Sequence, residues 1–193
     1  MGYKKKLLVT MLGVFAAAGA AQVQAEPSAE MLANTCAGCH GTDGKSVGPA
    51  SPNLAGMSEA YFIETMLAFQ EADRGSTIMG RIAKGYTEAQ IESMATVFAK
   101  QPVYMAKQDL DMAMAKKGAK IYDKSCDKCH DENGALPDDD AGILAGQWLP
   151  YLEYAMEDFI DGHRDMPKKM KKAVDKLSDE ELQASLVFFA SQQ

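Results

Sequence analysis

Two short runs hold every cysteine of this 193-residue chain: Cys36-Ala37-Gly38-Cys39-His40 and Cys126-Asp127-Lys128-Cys129-His130. Two thiols separated by two residues reach one edge of a rigid planar ring from a single turn of backbone. A histidine directly after the second thiol offers its imidazole to a metal at the centre of that ring. C-x-x-C-H is the pattern of c-type haem attachment, in which the thiols add across porphyrin vinyl groups as thioethers. Two tight disulfides, or one zinc site shared by both pairs, are the other chemistries open to such cysteines. Zinc would require two knuckles to converge across 90 positions, and neither alternative uses the histidine that follows each pair. The expected cofactors are therefore two covalently bound haem c groups. Cys36, Cys39, Cys126 and Cys129 are the attachment points, and His40 and His130 the axial ligands.

The second axial ligands come next. His163 is the one remaining histidine, so at most one iron can carry two histidines, whereas the chain has 13 methionines. A thioether ligand raises the potential of an electron-transfer haem. Met79 lies eight positions before Thr87, and Met170 lies eight positions before Ser178, which opens the matching helix of the second half. Met79 and Met170 are the expected ligands. Met166, followed by Pro167, is the rival in the second half. His163 reads as a surface residue rather than a ligand, and Met66, Met94 and Met156 fall on helix patterns as core fillers.

The elements that must position these residues occur twice. Cys36 matches Cys126, Leu54-Ala55-Gly56 matches Leu144-Ala145-Gly146, and Phe69 matches Phe159, each pair 90 positions apart; Phe98 and Phe189 match at 91. This is a tandem duplication. The domains expected are 26–103 and 104–193, with Pro102 stopping the preceding helix at the linker. Ser28 and Ser58 read as N-caps. Thr87-Glu88-Ala89-Gln90 and Ser178-Asp179-Glu180-Glu181 read as capping boxes before amphipathic helices. Gly118, one turn before Tyr122, is a place where another helix can approach closely. No segment alternates with period two, so the fold class is all-α.

Composition narrows the function. Lys4-Lys5-Lys6, the apolar run from Leu7 to Ala21 and Val23-Gln24-Ala25 resemble a signal peptide cleaved before Glu26, which places the mature chain in the periplasm. Without those three lysines, 17 basic residues face 27 acidic ones, a balance of −10. Such a surface argues against nucleic-acid binding. Each half is small enough that an apolar core alone is marginal, so a haem would be structural as well as functional.

The runs Cys36 to Gly44, Ser76 to Tyr86 and Ile143 to Trp148, with the ending Phe189 to Gln193, resemble the dihaem cytochrome c subunit of flavocytochrome c sulfide dehydrogenase. The resemblance covers the whole mature chain and implies two tandem class I cytochrome c domains related by internal duplication. Class I cytochromes c commonly place the ligand methionine at the distance that Met79 and Met170 keep from the last helix. They also often place a carbonyl at the position of Pro52, where it accepts from the proximal histidine. The second half has Gly142 at that position, so an equivalent contact there would come from backbone without a proline.

The resemblance also implies a partner: a separate FAD-bearing subunit oxidises sulfide, and this subunit takes its electrons and passes them to a soluble acceptor such as a small cytochrome c. The residues agree, because the chain has no G-x-G-x-x-G fingerprint for a dinucleotide and no spare cysteine for sulfide chemistry. The chain is expected to be an electron-transfer subunit and not an enzyme by itself. The alternatives are a free-standing dihaem carrier to a terminal oxidase, and a dihaem enzyme such as a peroxidase, which requires an open sixth position.

Overall fold

The computed structural model describes residues 26–193, so the leader expected over residues 1–25 lies outside the described residues. Among the described residues ten α-helices and one short 3-10 helix (Thr42–Gly44) follow one another, joined by loops. The first half contains α1 (Ala29–Asn34), α2 (Ala37–His40), α3 (Glu59–Glu71), α4 (Met79–Ala83) and α5 (Glu88–Ala99). The second contains α6 (Met112–Ser125), α7 (Asp131–Gly134), α8 (Leu149–Ile160), α9 (Lys168–Val174) and α10 (Asp179–Ala190). Among the described residues there is no strand, only an isolated antiparallel bridge between Arg74 and Arg164. No helix there is long and apolar enough to cross a membrane.

The helix starts follow from side-chain oxygens that satisfy otherwise orphaned N–H groups. Ser28 accepts from Met31 N, and Ser58 accepts from Tyr61 N. Thr87 with Gln90, and Ser178 with Glu181, form complete capping boxes at α5 and α10. Each half then buries its own apolar cluster. Leu32, Leu54, Phe62, Met66, Ile91, Met94 and Phe98 make the first, and Tyr122, Leu152, Leu186, Phe188 and Phe189 the second.

α6 packs along α10 as α1 packs on α5. The crossing of α6 and α10 depends on Gly118, where a Cβ would stand 2.0 Å from Ala184 O. The close approach expected of that glycine is present. α10 departs from a simple amphipathic helix, since every residue from Ala184 to Ala190 is buried. It is covered by α6 and α8, and the loop at Gly146 closes on its end through Gly146 N donating to Phe189 O at 2.9 Å.

Candidate functional site

Both C-x-x-C-H runs close the same backbone turn. In the first, Cys39 N and His40 N donate to Cys36 O at 3.2 and 2.9 Å; in the second, Cys129 N and His130 N donate to Cys126 O at 3.2 and 3.0 Å. Each turn therefore presents two thiols and an imidazole from one short stretch of chain. Behind each turn a glycine carbonyl clamps the downstream loop. Leu54 N and Ala55 N donate to Gly44 O, and Leu144 N and Ala145 N donate to Gly134 O. Gly44 and Gly134 have φ of +75° and +82°, and a Cβ on either would meet Phe98 or Phe189 at 3.0 or 2.9 Å. Only glycine fits that turn under the aromatic ring.

None of the four cysteines is disulfide-bonded, and among the described residues no group of three or more His, Cys, Asp or Glu is placed to hold a metal. The zinc alternative has no convergent ligand set. Burial raises the Cys36 thiol, against a hydrogen bond from Thr35, and pushes Cys126 up to about 11, helped by Asp127 and Cys129. Burial also lowers both histidines, partly offset by Pro52 O at His40 and by Asp138 at His130. The imidazoles are therefore neutral at pH 7, the form in which a ring nitrogen can bind iron. Free thiols and neutral imidazoles at this spacing fit covalently attached haem.

The two imidazoles differ in their partners. His40, 7% exposed, donates from Nδ1 to Pro52 O at 2.9 Å, leaving Nε2 free for a metal. His130 Nδ1 is buried and has no hydrogen-bond partner among the described residues. Gly142 is the position that corresponds to Pro52. Tyr61 of the first half packs on Gly142, and a Cβ there would stand 2.7 Å from the ring. The backbone substitute for the proline carbonyl is not made. His130 instead meets the edge of Phe189, with centroids 5.9 Å apart.

Met79 opens α4 half-buried and packs, with Cys36, against the first apolar cluster. Met170 lies half-buried in α9, and Met166 precedes that helix. Neither packs against the second cluster, whereas Cys126 does. His163 is exposed, with Nδ1 3.9 Å from Asp158 Oδ1, and its carbonyl accepts from Gly75 N at 2.7 Å.

Sequence reasoning missed the contacts that Tyr61, Asn53, Gln147 and the two arginines make between the halves. Tyr61 OH accepts from Arg164 Nη2 at 2.8 Å, Arg74 and Arg164 pair as a bridge, and each arginine covers the phenylalanine five positions before it, Phe69 or Phe159. Burial alone would raise the Tyr61 phenol, but the charges of Arg164 and Arg74 outweigh it and lower it. Trp148 Nε1 donates to Ser46 O at 3.2 Å. Asn53 and Gln147, 3% and 2% exposed, bond reciprocally: Asn53 N donates to Gln147 Oε1 at 2.8 Å and Gln147 Nε2 to Asn53 O at 3.0 Å. For the arginines the sequence shows that they recur 90 positions apart.

A helical chain with two such turns, each backed by its own glycine clamp and apolar cluster, has the build of a two-domain c-type cytochrome. Comparison with known proteins gives the family. Residues 25–112 match the profile of cytochrome c, and residues 113–188 match that of cytochrome c oxidase, cbb3-type, subunit III. Over 73 residues the chain is 44% identical to the cytochrome subunit of sulfide dehydrogenase of Chlorobaculum tepidum, a match spanning 38% of this chain and 66% of that protein. It is 28% identical to cytochrome c4 of Pseudomonas aeruginosa over 93% of this chain and 94% of that protein. The crystal structure of reduced recombinant cytochrome c4 from Pseudomonas stutzeri superposes with a TM-score of 0.74 at 25% identity, covering 87% of this chain and all of that one. The chain belongs to the cytochrome c family and has the two-domain, cytochrome c4-like form. Its domains imply covalently bound haem c and an electron-carrying role.

Proposed function

We propose that the chain is the dihaem electron-transfer subunit of a sulfide-oxidising flavocytochrome, accepting electrons from a FAD-containing partner and passing them to a soluble cytochrome acceptor. The observation that carries the electron-transfer part is the pair of equivalent turns, each offering two free thiols and one buried imidazole whose pKa burial lowers. Cys36 and Cys39 hold one haem c and Cys126 and Cys129 the other. His40 and His130 are the proximal ligands, and Met79 and Met170 the second ligands. When bound, each haem supplies a one-electron ferric–ferrous couple whose potential a thioether ligand raises.

The chain's own residues do the rest. Pro52 O fixes the His40 ring, the apolar clusters exclude water, and the Tyr61, Asn53, Gln147 and Arg164 contacts hold the two units, meeting near 103/104, in one relation. Two one-electron sites on one chain suit a flavin that releases two electrons. The flavoprotein partner is supported by the 44% identity to a sulfide dehydrogenase cytochrome subunit. The leader, removed after residue 25, directs the chain to the periplasm.

The test is an optical spectrum of the protein purified gently from periplasm. Haem c bands, accompanied by flavin absorbance that bleaches on adding sulfide, are expected. Haem bands alone, from a chain that purifies without a partner, would instead favour the free-standing carrier, the reading that the full-length likeness to cytochrome c4 supports.

A further inference from the structure

We propose that Gln147 is a positioning residue for the first haem, acting from the other half of the molecule through the peptide group between Pro52 and Asn53. The inference rests on the assignment of His40 as an iron ligand. That one peptide carries both bonds: its carbonyl, Pro52 O, accepts from His40 Nδ1 at 2.9 Å, and its N–H, on Asn53, donates to Gln147 Oε1 at 2.8 Å. Hydrogen bonds in series polarise one another, by roughly 10–30% per bond in a low-dielectric setting. An acceptor on the N–H makes the carbonyl at the other end of the amide a better acceptor.

The orientation of Gln147 is fixed. A backbone N–H demands its oxygen, while two carbonyls, Asn53 O at 3.0 Å and Ile143 O at 3.3 Å, take its nitrogen. Asn53 is equally constrained, since its Oδ1 accepts from Ser46 N at 3.0 Å and its Nδ2 donates to Gly146 O at 3.1 Å and Tyr104 O at 3.3 Å. With both side chains buried, water does not compete for these bonds.

The consequence falls on His40. A stronger carbonyl acceptor draws the Nδ1 proton outward and makes the imidazole a more basic ligand, which favours ferric iron and lowers the potential of the first haem. The device is one-sided. The residue 90 positions before Gln147 is Met57, whose side chain has no amide oxygen, and His130 has no carbonyl partner to be strengthened. The second half thus tunes the first.

The test uses the holoprotein and Gln147→Met, which replaces the amide by the residue of the matching position. The two midpoint potentials are resolved by NMR-monitored redox titration, together with the His40 ring N–H signal of the ferrous protein. The first-half midpoint should rise, so that its oxidised-to-reduced ratio at fixed potential falls about twofold, ~18 mV at ~59 mV per decade. The second couple should stay in place, and the His40 N–H should move upfield. Gln147→Glu keeps an acceptor oxygen and should leave the first potential at or below the wild-type value. Trp148→Phe removes a different bond between the halves and should leave both couples unmoved.

An unmoved first couple in Gln147→Met, a rise in Gln147→Glu, or an equal rise in Trp148→Phe would each overturn the proposal. A chain carrying no thioether-bound haem, or a first-site spectrum indifferent to His40→Ala, would overturn the ligand assignment instead. The two failures are distinct.

Discussion

The two halves share their glycine clamps and their cysteine turns, yet they hold the histidine that follows each cysteine pair differently. His40 is tied to Pro52 O, whereas His130 has an unpartnered Nδ1, and at Gly142, the position matching Pro52, Tyr61 of the first half packs on the backbone. Duplication preserved what each half needs to fold, and divergence collected where the halves meet.

The core offers the largest way to break this comparison. The second half depends on the close passage of α6 and α10 at Gly118, while the first has only the short α1 against α5. Gly118→Ala forces a Cβ towards a backbone oxygen and should destabilise the second half by about 3 kcal/mol, the upper part of the overpacking range. Urea unfolding followed by fluorescence of Trp148, the single tryptophan, should shift to lower denaturant, while helicity from the first half persists. An unshifted midpoint would show that the helices can separate without loss.

Asn53→Ala comes next. It leaves Ser46 N without its acceptor and removes two bonds across the halves, a loss of about 2 kcal/mol for buried groups. Unfolding should divide into two transitions as the units uncouple. A single transition would place their coupling elsewhere, at Arg164 and Tyr61.

Methionine substitutions sharpen the comparison at the sites themselves. Met79→Ala should abolish half of the far-red methionine–iron band of the ferric protein, and Met170→Ala the other half, with Met166→Ala leaving it intact. Loss on replacing Met166 instead would reassign the second ligand. The smallest effect concerns the capping boxes. Hydrogen bonds from Ser178 N–H and its hydroxyl hold the Glu181 carboxyl below its ordinary value, whereas Gln90 in the first half does not titrate. A lowered folded pKa means that the stabilisation is present above the unfolded value of ~4.5 and is lost as pH falls through the folded one. Amide exchange in the first turn of α10 should therefore accelerate on acidification across that window, and that at α5 should not. Equal acceleration would remove the distinction.

Much of this was legible in the sequence because it is local or periodic. The caps at Ser28, Ser58, Thr87 and Ser178 rest on side chains bonding three residues ahead, and Gly118 with Tyr122 marks one helix face. The all-helical duplicated fold followed from constant spacing. The link between Asn53 and Gln147 was hidden, since the residues lie 94 positions apart and obey neither helical period nor repeat. Gly142 showed that the proline was missing but not what replaced it. The packing of Tyr61 from the other half on Gly142 lies outside any local or periodic signal.

The central claim is that each half holds its own haem through its own cysteine pair. Denaturing mass spectrometry of the full chain, beside Cys36→Ser/Cys39→Ser and Cys126→Ser/Cys129→Ser variants, tests it most directly. Two haem masses are expected on the wild-type polypeptide and one on each variant. An unmodified wild-type mass, or a variant that keeps both haems, would contradict it.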